Sequence, residues 1–309
     1  MTREIDLLII GGGAAGLSAG LYAARSRVDA LLLERMGSGG QLVNVDRVEN
    51  YPGFPEGIAG YELGPLLAQQ AMDAGLVFAY GEAQALIAAS EGGRHTIRTD
   101  DETYLARAVI LAGGSTLARL GVPGEEEFEG RGVSYCATCD GEFCRDQPVV
   151  VVGGGDSALD EALYLAEIAS AVTIIVRRDA FRAARVAQER ILAHPKCRVL
   201  YNATVAAIRG DEQVRGVDLV TPEGQRMQET AGAFIYVGLA PNTAWLGDAV
   251  ACDPAGHVVA DVRLETSVAG VFAAGDLRQH SARQVASSVG DGATAAIWAE
   301  RYLRGPHSR

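Results

Sequence analysis

The sequence predicts an α/β protein of two doubly wound domains, each a parallel sheet covered by helices, with the second inserted in the first. Three observations predict it: a glycine-turn unit that occurs twice, a matching run of short strands after each copy, and a closing strand and helix with no glycine turn of their own.

The first copy is "LLIIGGGAAGLSAGLYAARSRVDALLLER", residues 7 to 35, and the second is "VVVVGGGDSALDEALYLAEIASAVTIIVR", residues 149 to 177. They align without a gap at an offset of 142, so that Gly11, Gly13, Leu21 and Tyr22 fall on Gly153, Gly155, Leu163 and Tyr164. Each reads as a buried strand, a glycine turn, a helix-suited stretch and a second apolar strand, which is a β-α-β unit. Downstream, "ALIAASEGGRHTIRTDDETYLARAVILAGG" and "AAIRGDEQVRGVDLVTPEGQRMQETAGAFIYVG" both read as short strands broken by turn residues and ending in a buried strand with glycine. The closing "GVFAAGDLRQHSARQVASSVGDGATAAIWAERYL" offers an apolar strand, a Gly-Asp turn and a small-residue helix, which serve best to complete the first domain. The expected domains are therefore 1–117 with 243–309, and 118–242, with crossings near residues 115 to 122 and 238 to 243.

Composition bounds the function. A chain of 309 residues with 48% hydrophobic and 21% charged residues is that of a folded globular protein. Its 27 Lys and Arg against 39 Asp and Glu, a formal charge of -12, repel a nucleic acid backbone. No apolar stretch approaches the roughly 20 residues that cross a bilayer. The first strand runs straight into the glycine turn without a secretory apolar core or cleavage site, so the expected location is the cytoplasm.

Glycines that follow a strand and open a helix let a pyrophosphate reach unpaired N–H groups at the helix start, which makes both copies candidate dinucleotide sites of Rossmann type. The first uses Gly11, Gly13 and Gly16; the second uses Gly153 and Gly155, with Ala158 in the third place. Glu34 ends the second strand of copy one and suits ribose hydroxyls without a 2′-phosphate. Val176 replaces that acid in copy two and is followed by Arg177, Arg178 and Arg182, donors suited to NADP(H). Two dinucleotides in one chain imply electron transfer, with FAD assigned to domain one, where Gly275 and Asp276 suit the sugar-like chain of a flavin, and NADPH to domain two.

"SYCATCDGEFC", residues 134 to 144, holds three of the five cysteines. A zinc site or iron-sulfur cluster needs a fourth ligand that the stretch lacks, so Cys136 and Cys139 read as a redox pair that cycles between disulfide and dithiol. Asp140 suits an acid or base in exchange and equally a turn residue in "CDG". Cys144 reads as a packed thiol, with a resolving role still open, and Cys197 and Cys252 as thiols packed as small hydrophobes.

Through "GGGAAG", "GGQL", "ENYPGF", "CATCD", "GGGDSALDEALYL", "RRDAFRA", "PNT", "AAGD" and "RQVASSVGDGATAA", in that order, the chain resembles the bacterial-type, low-molecular-weight thioredoxin reductases over almost its whole length. The resemblance implies a two-dinucleotide-binding flavoprotein that acts as a homodimer and reduces thioredoxin or a thioredoxin-like protein. It implies that Gly11, Gly13, Gly16 and Glu34 hold the adenosine end of FAD, that Gln41 and Asn50 lie in flavin-contacting segments, that Asp276 binds the ribityl region, and that Arg283, Gln284 and Val285 lie beside the isoalloxazine. It implies that Cys139 faces the flavin and opens exchange with the partner while Asp140 handles the proton, and that the inserted domain turns about the two crossings. Related enzymes that reduce other disulfide partners, or a nucleotide-binding redox sensor without catalysis, are the alternatives.

Three departures from the pattern stand out. Val176 occupies the usual place of histidine before the arginines, Leu239 another, and Glu142 replaces the first of two aromatic residues after "CDG" that help dock thioredoxin. The added charge at Glu142 leads to the expectation of a partner with a complementary cation.

Overall fold

The computed structural model describes residues 1–45, 47–90 and 92–305. The chain divides into two compact units, Met1–Thr116 with the segment from Ala240 onward, and Leu117–Leu239. Each is described by itself.

The first unit opens with β1 (Thr2–Ile10), the turn residues 11–13, α1 (Ala14–Arg25) and β2 (Ala30–Glu34). It continues through α2 (Gly60–Asp73), β3 (Val77–Tyr80), β4 (Ala85–Ile87), β5 (His95–Arg98) and β6 (Thr103–Leu111). The sheet order β3-β2-β1-β6 is parallel throughout. Leu7, Ile9, Leu32 and Ile110 are buried toward one helical layer, while Leu8, Leu31, Leu33 and Val109 are buried on the opposite face. This is why these strands read as continuous apolar runs rather than alternating ones. The short strands after copy one form a hairpin, in which β4 pairs β5 and β5 lies antiparallel on the first half of β6.

The crossing strand β7 (Ser115–Leu117) leads into the second unit. Its elements are β8 (Val133–Ser134), the single turn α3 (Ala137–Asp140), β9 (Pro148–Val152), α4 (Asp156–Ile168), β10 (Ala171–Val176), α5 (Arg185–Ala193) and β11 (Cys197–Tyr201). They are followed by β12 (Thr204–Gly210), β13 (Val214–Thr221), β14 (Gly224–Glu229) and β15 (Gly232–Ile235). The order β11-β10-β9-β15-β8 is again parallel, and β12-β13-β14 forms a separate antiparallel sheet.

The chain returns through β16 (Leu239–Pro241), which pairs with β7, and ends with β17 (Val271–Ala273) and α6 (Val285–Arg304). β17 takes the edge of β6 beyond the hairpin, pairing Val271 with Val109 and Ala273 with Leu111. α6 packs on α1 through small residues: a Cβ on Gly292 would lie 2.0 Å from the carbonyl oxygen of Ala15, and the Ser18 hydroxyl donates to the carbonyl of Val289 at 2.8 Å. The small-residue composition of the last helix follows from this close approach. Among the described residues no helix is long and apolar enough to cross a membrane.

Candidate active site and nucleotide clefts

The first glycine turn is held by sterics that leave no alternative residue at two positions. Gly11 has φ +108°, and a Cβ there would lie 2.4 Å from the carbonyl oxygen of Ala112; a Cβ on Gly16 would lie 1.8 Å from the carbonyl oxygen of Gly11. A Cβ on Gly13 would meet nothing within 4 Å, so this glycine faces open space. That space is a cleft lined by Gly13, Glu34, Gln41, Ala83, Gly114 and Trp245 among others, as a dinucleotide cradle requires. Glu34 closes it from the end of β2: one carboxylate oxygen accepts the Gly12 N–H at 2.5 Å and the other the Met36 N–H at 3.0 Å. The Gln41 side chain donates to the carbonyl of Ser115 at 3.0 Å.

The remaining flavin candidates gather around the start of α6. Asn50 donates to the Gln284 side chain at 2.9 Å, and Gln284 caps the helix that Val285 begins. Arg283 stands in the left-handed region with its guanidinium 3.0 Å from His257 Nε2. Asp276 accepts from the hydroxyls of Ser281 and Ser288, each at 3.3 Å, and burial pushes its carboxyl pKa up. A Cβ on Gly275 would lie 3.0 Å from that of Ala15, so the Gly-Asp turn sits against the start of α1.

The second cleft is built alike. Gly153 has φ +151° and its Cβ would lie 2.3 Å from the carbonyl oxygen of Tyr236, whereas a Cβ on Gly155 would meet nothing within 4 Å. Ala158 stands where copy one has Gly16, and its buried methyl group lies 2.9 Å from where a Cβ on Gly153 would be. The loop after β10 folds back over the turn, with the backbone N–H of Arg182 donating to the carbonyl of Gly154 at 2.7 Å. Arg177, Arg178 and Arg182 line a cavity of about 370 Å³, all three exposed. Among the described residues no acidic side chain forms an ion pair with any of them, which leaves their guanidinium groups available to an anion.

Cys136 and Cys139 form a disulfide, with Cα atoms 5.3 Å apart. Cys136 is the N-cap of α3, and its sulfur accepts the Cys139 N–H at 3.2 Å; Cys139 is exposed and Cys136 half-buried. The Ser134 hydroxyl donates to Asp140 at 2.6 Å and accepts the Cys136 N–H at 3.0 Å, which fixes the carboxylate within the same turn as both sulfurs. From below, the Ala137 N–H donates to the Tyr236 hydroxyl at 2.9 Å and to Glu161 at 3.1 Å. Burial pushes the Tyr236 phenol up, so it stays protonated.

The family of pyridine nucleotide-disulphide oxidoreductases matches residues 5–292. The chain belongs to it. Within that family it is 43% identical over 308 residues to the thioredoxin reductase of Treponema pallidum, covering 98% of each chain, and 45% identical over 302 residues to that of Mycolicibacterium smegmatis, covering 96% of each. A crystal structure of Lactococcus lactis thioredoxin reductase in its FR conformation is similar with a TM-score of 0.94 at 40% identity, covering 97% of this chain and 99% of that one. A crystal structure of T. acidophilum thioredoxin reductase gives a TM-score of 0.92 at 39% identity, covering 98% of this chain and 100% of that one. The chain is thus a pyridine nucleotide-disulphide oxidoreductase of the bacterial thioredoxin reductase type, a flavoprotein class that uses FAD and NADPH.

Two sequence expectations need correction. Glu142 is not an unmet charge: Arg145 forks onto its carboxylate at 2.6, 2.7 and 3.0 Å, so the cation expected on a partner is supplied three residues away on the same turn. Cys252 is exposed rather than packed, although its backbone forms an isolated bridge to buried Val258. Cys144, in contrast, is buried, and burial first and then the charge of Asp140 raise its thiol pKa, which suits packing and not exchange. Half-buried Cys197 is pushed up to about 11 by burial.

Sequence reasoning also missed residues in this oxidoreductase. Buried Asp291 accepts from the Gly275 N–H at 3.0 Å and from Arg278 at 2.6 and 2.8 Å, so it holds the turn that carries Asp276. The signal was a lone acid in "SSVGDGATAA", a stretch otherwise made of small residues. Arg119 lines the second cleft from beyond β7, and nothing local in "TLARLG" marks it.

Proposed function

We propose that the protein is an NADPH-dependent thioredoxin-disulfide reductase in which Cys136, Cys139 and Asp140 are catalytic, acting as a cytoplasmic homodimer. The observation that carries this reading is the Cys136–Cys139 disulfide, with Cys139 exposed and Asp140 held in the same turn, in a unit that also holds a basic nucleotide cleft. The first cleft supports FAD through Gly11, Gly13, Gly16, Glu34, Gln41 and the group around Asn50, Asp276 and Arg283 to Val285. The second supports NADPH through Gly153, Gly155, Ala158, Arg177, Arg178 and Arg182. When bound, FAD supplies two-electron transfer from NADPH to the disulfide.

The chain's own residues then carry out exchange. The Cys139 thiolate attacks one sulfur of the partner's disulfide; a mixed disulfide forms and the partner's second sulfur leaves as thiolate, which takes a proton. The Cys136 thiolate attacks Cys139, the 136–139 bond re-forms, and the partner departs as a dithiol. Asp140, fixed by Ser134, is placed to hold the proton that each departing thiolate needs. The Cys139 N–H directed at Cys136 sulfur favours its thiolate form.

The test is anaerobic addition of excess NADPH to the FAD-loaded protein, with thiols counted afterwards, followed by turnover with the organism's own thioredoxins. The expected result is two new thiols and NADPH consumption that depends on thioredoxin. Flavin bleaching with the 136–139 bond intact would overturn it.

A further inference from the structure

The second cleft contains one arginine that the nucleotide motif does not provide. Arg119 lines it from the stretch just after β7, while Arg177, Arg178 and Arg182 come from the end of β10. Those three have no acidic partner among the described residues, but Arg119 does: its Nη2 lies 2.7 Å from Glu129, and its guanidinium carbon 5.6 Å from the ring centre of Tyr135. Both members of the pair are roughly half exposed, at 53% and 42% of their side-chain surface, a setting in which an ion pair contributes little. A phosphate of charge near -2 competes well for such a guanidinium, because its oxygens accept paired N–H bonds.

The backbone beneath Arg119 is, by contrast, fixed. Buried Glu125 accepts the N–H groups of Leu120 at 2.8 Å and Gly121 at 2.6 Å and the Tyr135 hydroxyl at 2.7 Å. Arg119 is therefore a head held by one half-exposed ion pair on an anchored stem, in the lining of a cleft whose strand end carries Val176 in the place where the resemblance leads one to expect histidine.

We infer that Arg119 is a specificity residue for the 2′-phosphate of the nicotinamide cofactor, exchanging its ion pair with Glu129 for the phosphate on binding. The inference rests on the reading that this unit takes NADPH.

It is tested by calorimetric titration of the FAD-loaded protein with 2′,5′-ADP and with 5′-ADP, which differ only in that phosphate. The wild type is expected to bind 2′,5′-ADP more tightly; if it shows no preference, the NADPH reading fails and this inference with it. Given the preference, Arg119→Ala is expected to weaken 2′,5′-ADP by about tenfold, the loss of one charge-assisted contact, and to leave 5′-ADP unchanged. Glu129→Gln is expected to act in the opposite direction and tighten 2′,5′-ADP, since it removes the competitor. If Arg119→Ala weakens both probes equally, leaves both unchanged, or moves with Glu129→Gln in the same direction, Arg119 only supports the fold and the inference is overturned while the NADPH reading stands.

Discussion

Cys139 is exposed while Cys136 is half-buried and its sulfur accepts the Cys139 N–H, and the different tasks proposed for the two rest on this asymmetry. Cys139→Ser is expected to keep NADPH-driven flavin reduction and abolish thioredoxin turnover, read by stopped-flow absorbance beside a steady-state assay; retained turnover would remove Cys139 from the exchange. The neighbouring surface is set by another local pairing. Phe143 is 82% exposed, and the Glu142 charge beside it is neutralised by Arg145. Arg145→Ala is expected to uncover that charge and make kcat/KM for thioredoxin depend on ionic strength more steeply than in the wild type. At the nucleotide end, Arg177→Ala with Arg178→Ala is expected to raise KM for NADPH far more than KM for NADH, since one cofactor alone carries the 2′-phosphate. Equal changes in both would mean that these arginines do not read it.

At the scale of elements, the crossing of α1 and α6 underlies the proposed flavin site, because residues assigned to it lie at the starts of both helices and Gly292 lets their backbones touch. Gly292→Ala puts a methyl group into the Ala15 carbonyl, an overpacking that costs about 1–3 kcal/mol and moves the start of α1. The expected outcome is a melting temperature lower by several degrees together with weaker FAD retention on gel filtration. The strands and helices around this crossing were legible because their signals are local: apolar runs of strand length, glycines at fixed spacing, a repeated unit. The pairs that finish the sites were not. Asp291 with Arg278, Arg119 with Glu129 and Asn50 with Gln284 join positions 10 to 234 residues apart, and pairing at such separations leaves no periodic trace. Glu142 with Arg145 lies within one turn, yet an acid beside a resemblance-defined docking site draws attention to a partner before it draws attention to its own neighbour.

For the whole molecule, one buried titratable group links stability to pH. His95 on β5 is 2% exposed, accepts the Ala89 N–H on Nδ1 at 3.2 Å, and has its pKa lowered by burial from 6.5. The unfolded chain binds this proton more readily than the folded one, so the contribution is present above about pH 6.5 and is lost as pH falls toward the lower folded value. His95→Gln is expected to flatten the fall in melting temperature between about pH 6.5 and 5, whatever its effect at neutral pH. An unchanged pH profile would assign the acid sensitivity to other groups.

The insertion has a temporal consequence. β17 and α6, which complete the sheet edge and the helical layer of the first unit, emerge from the ribosome only after the whole of Leu117–Leu239 has been made. The nested unit thus has its full set of strands while its host still exposes the apolar side of α1 and an unfilled edge on β6. Biogenesis runs inside-out here, against the usual order in which the amino-terminal domain matures first. A nascent chain stalled before residue 271 would carry an incomplete flavin shell and become a client for chaperones.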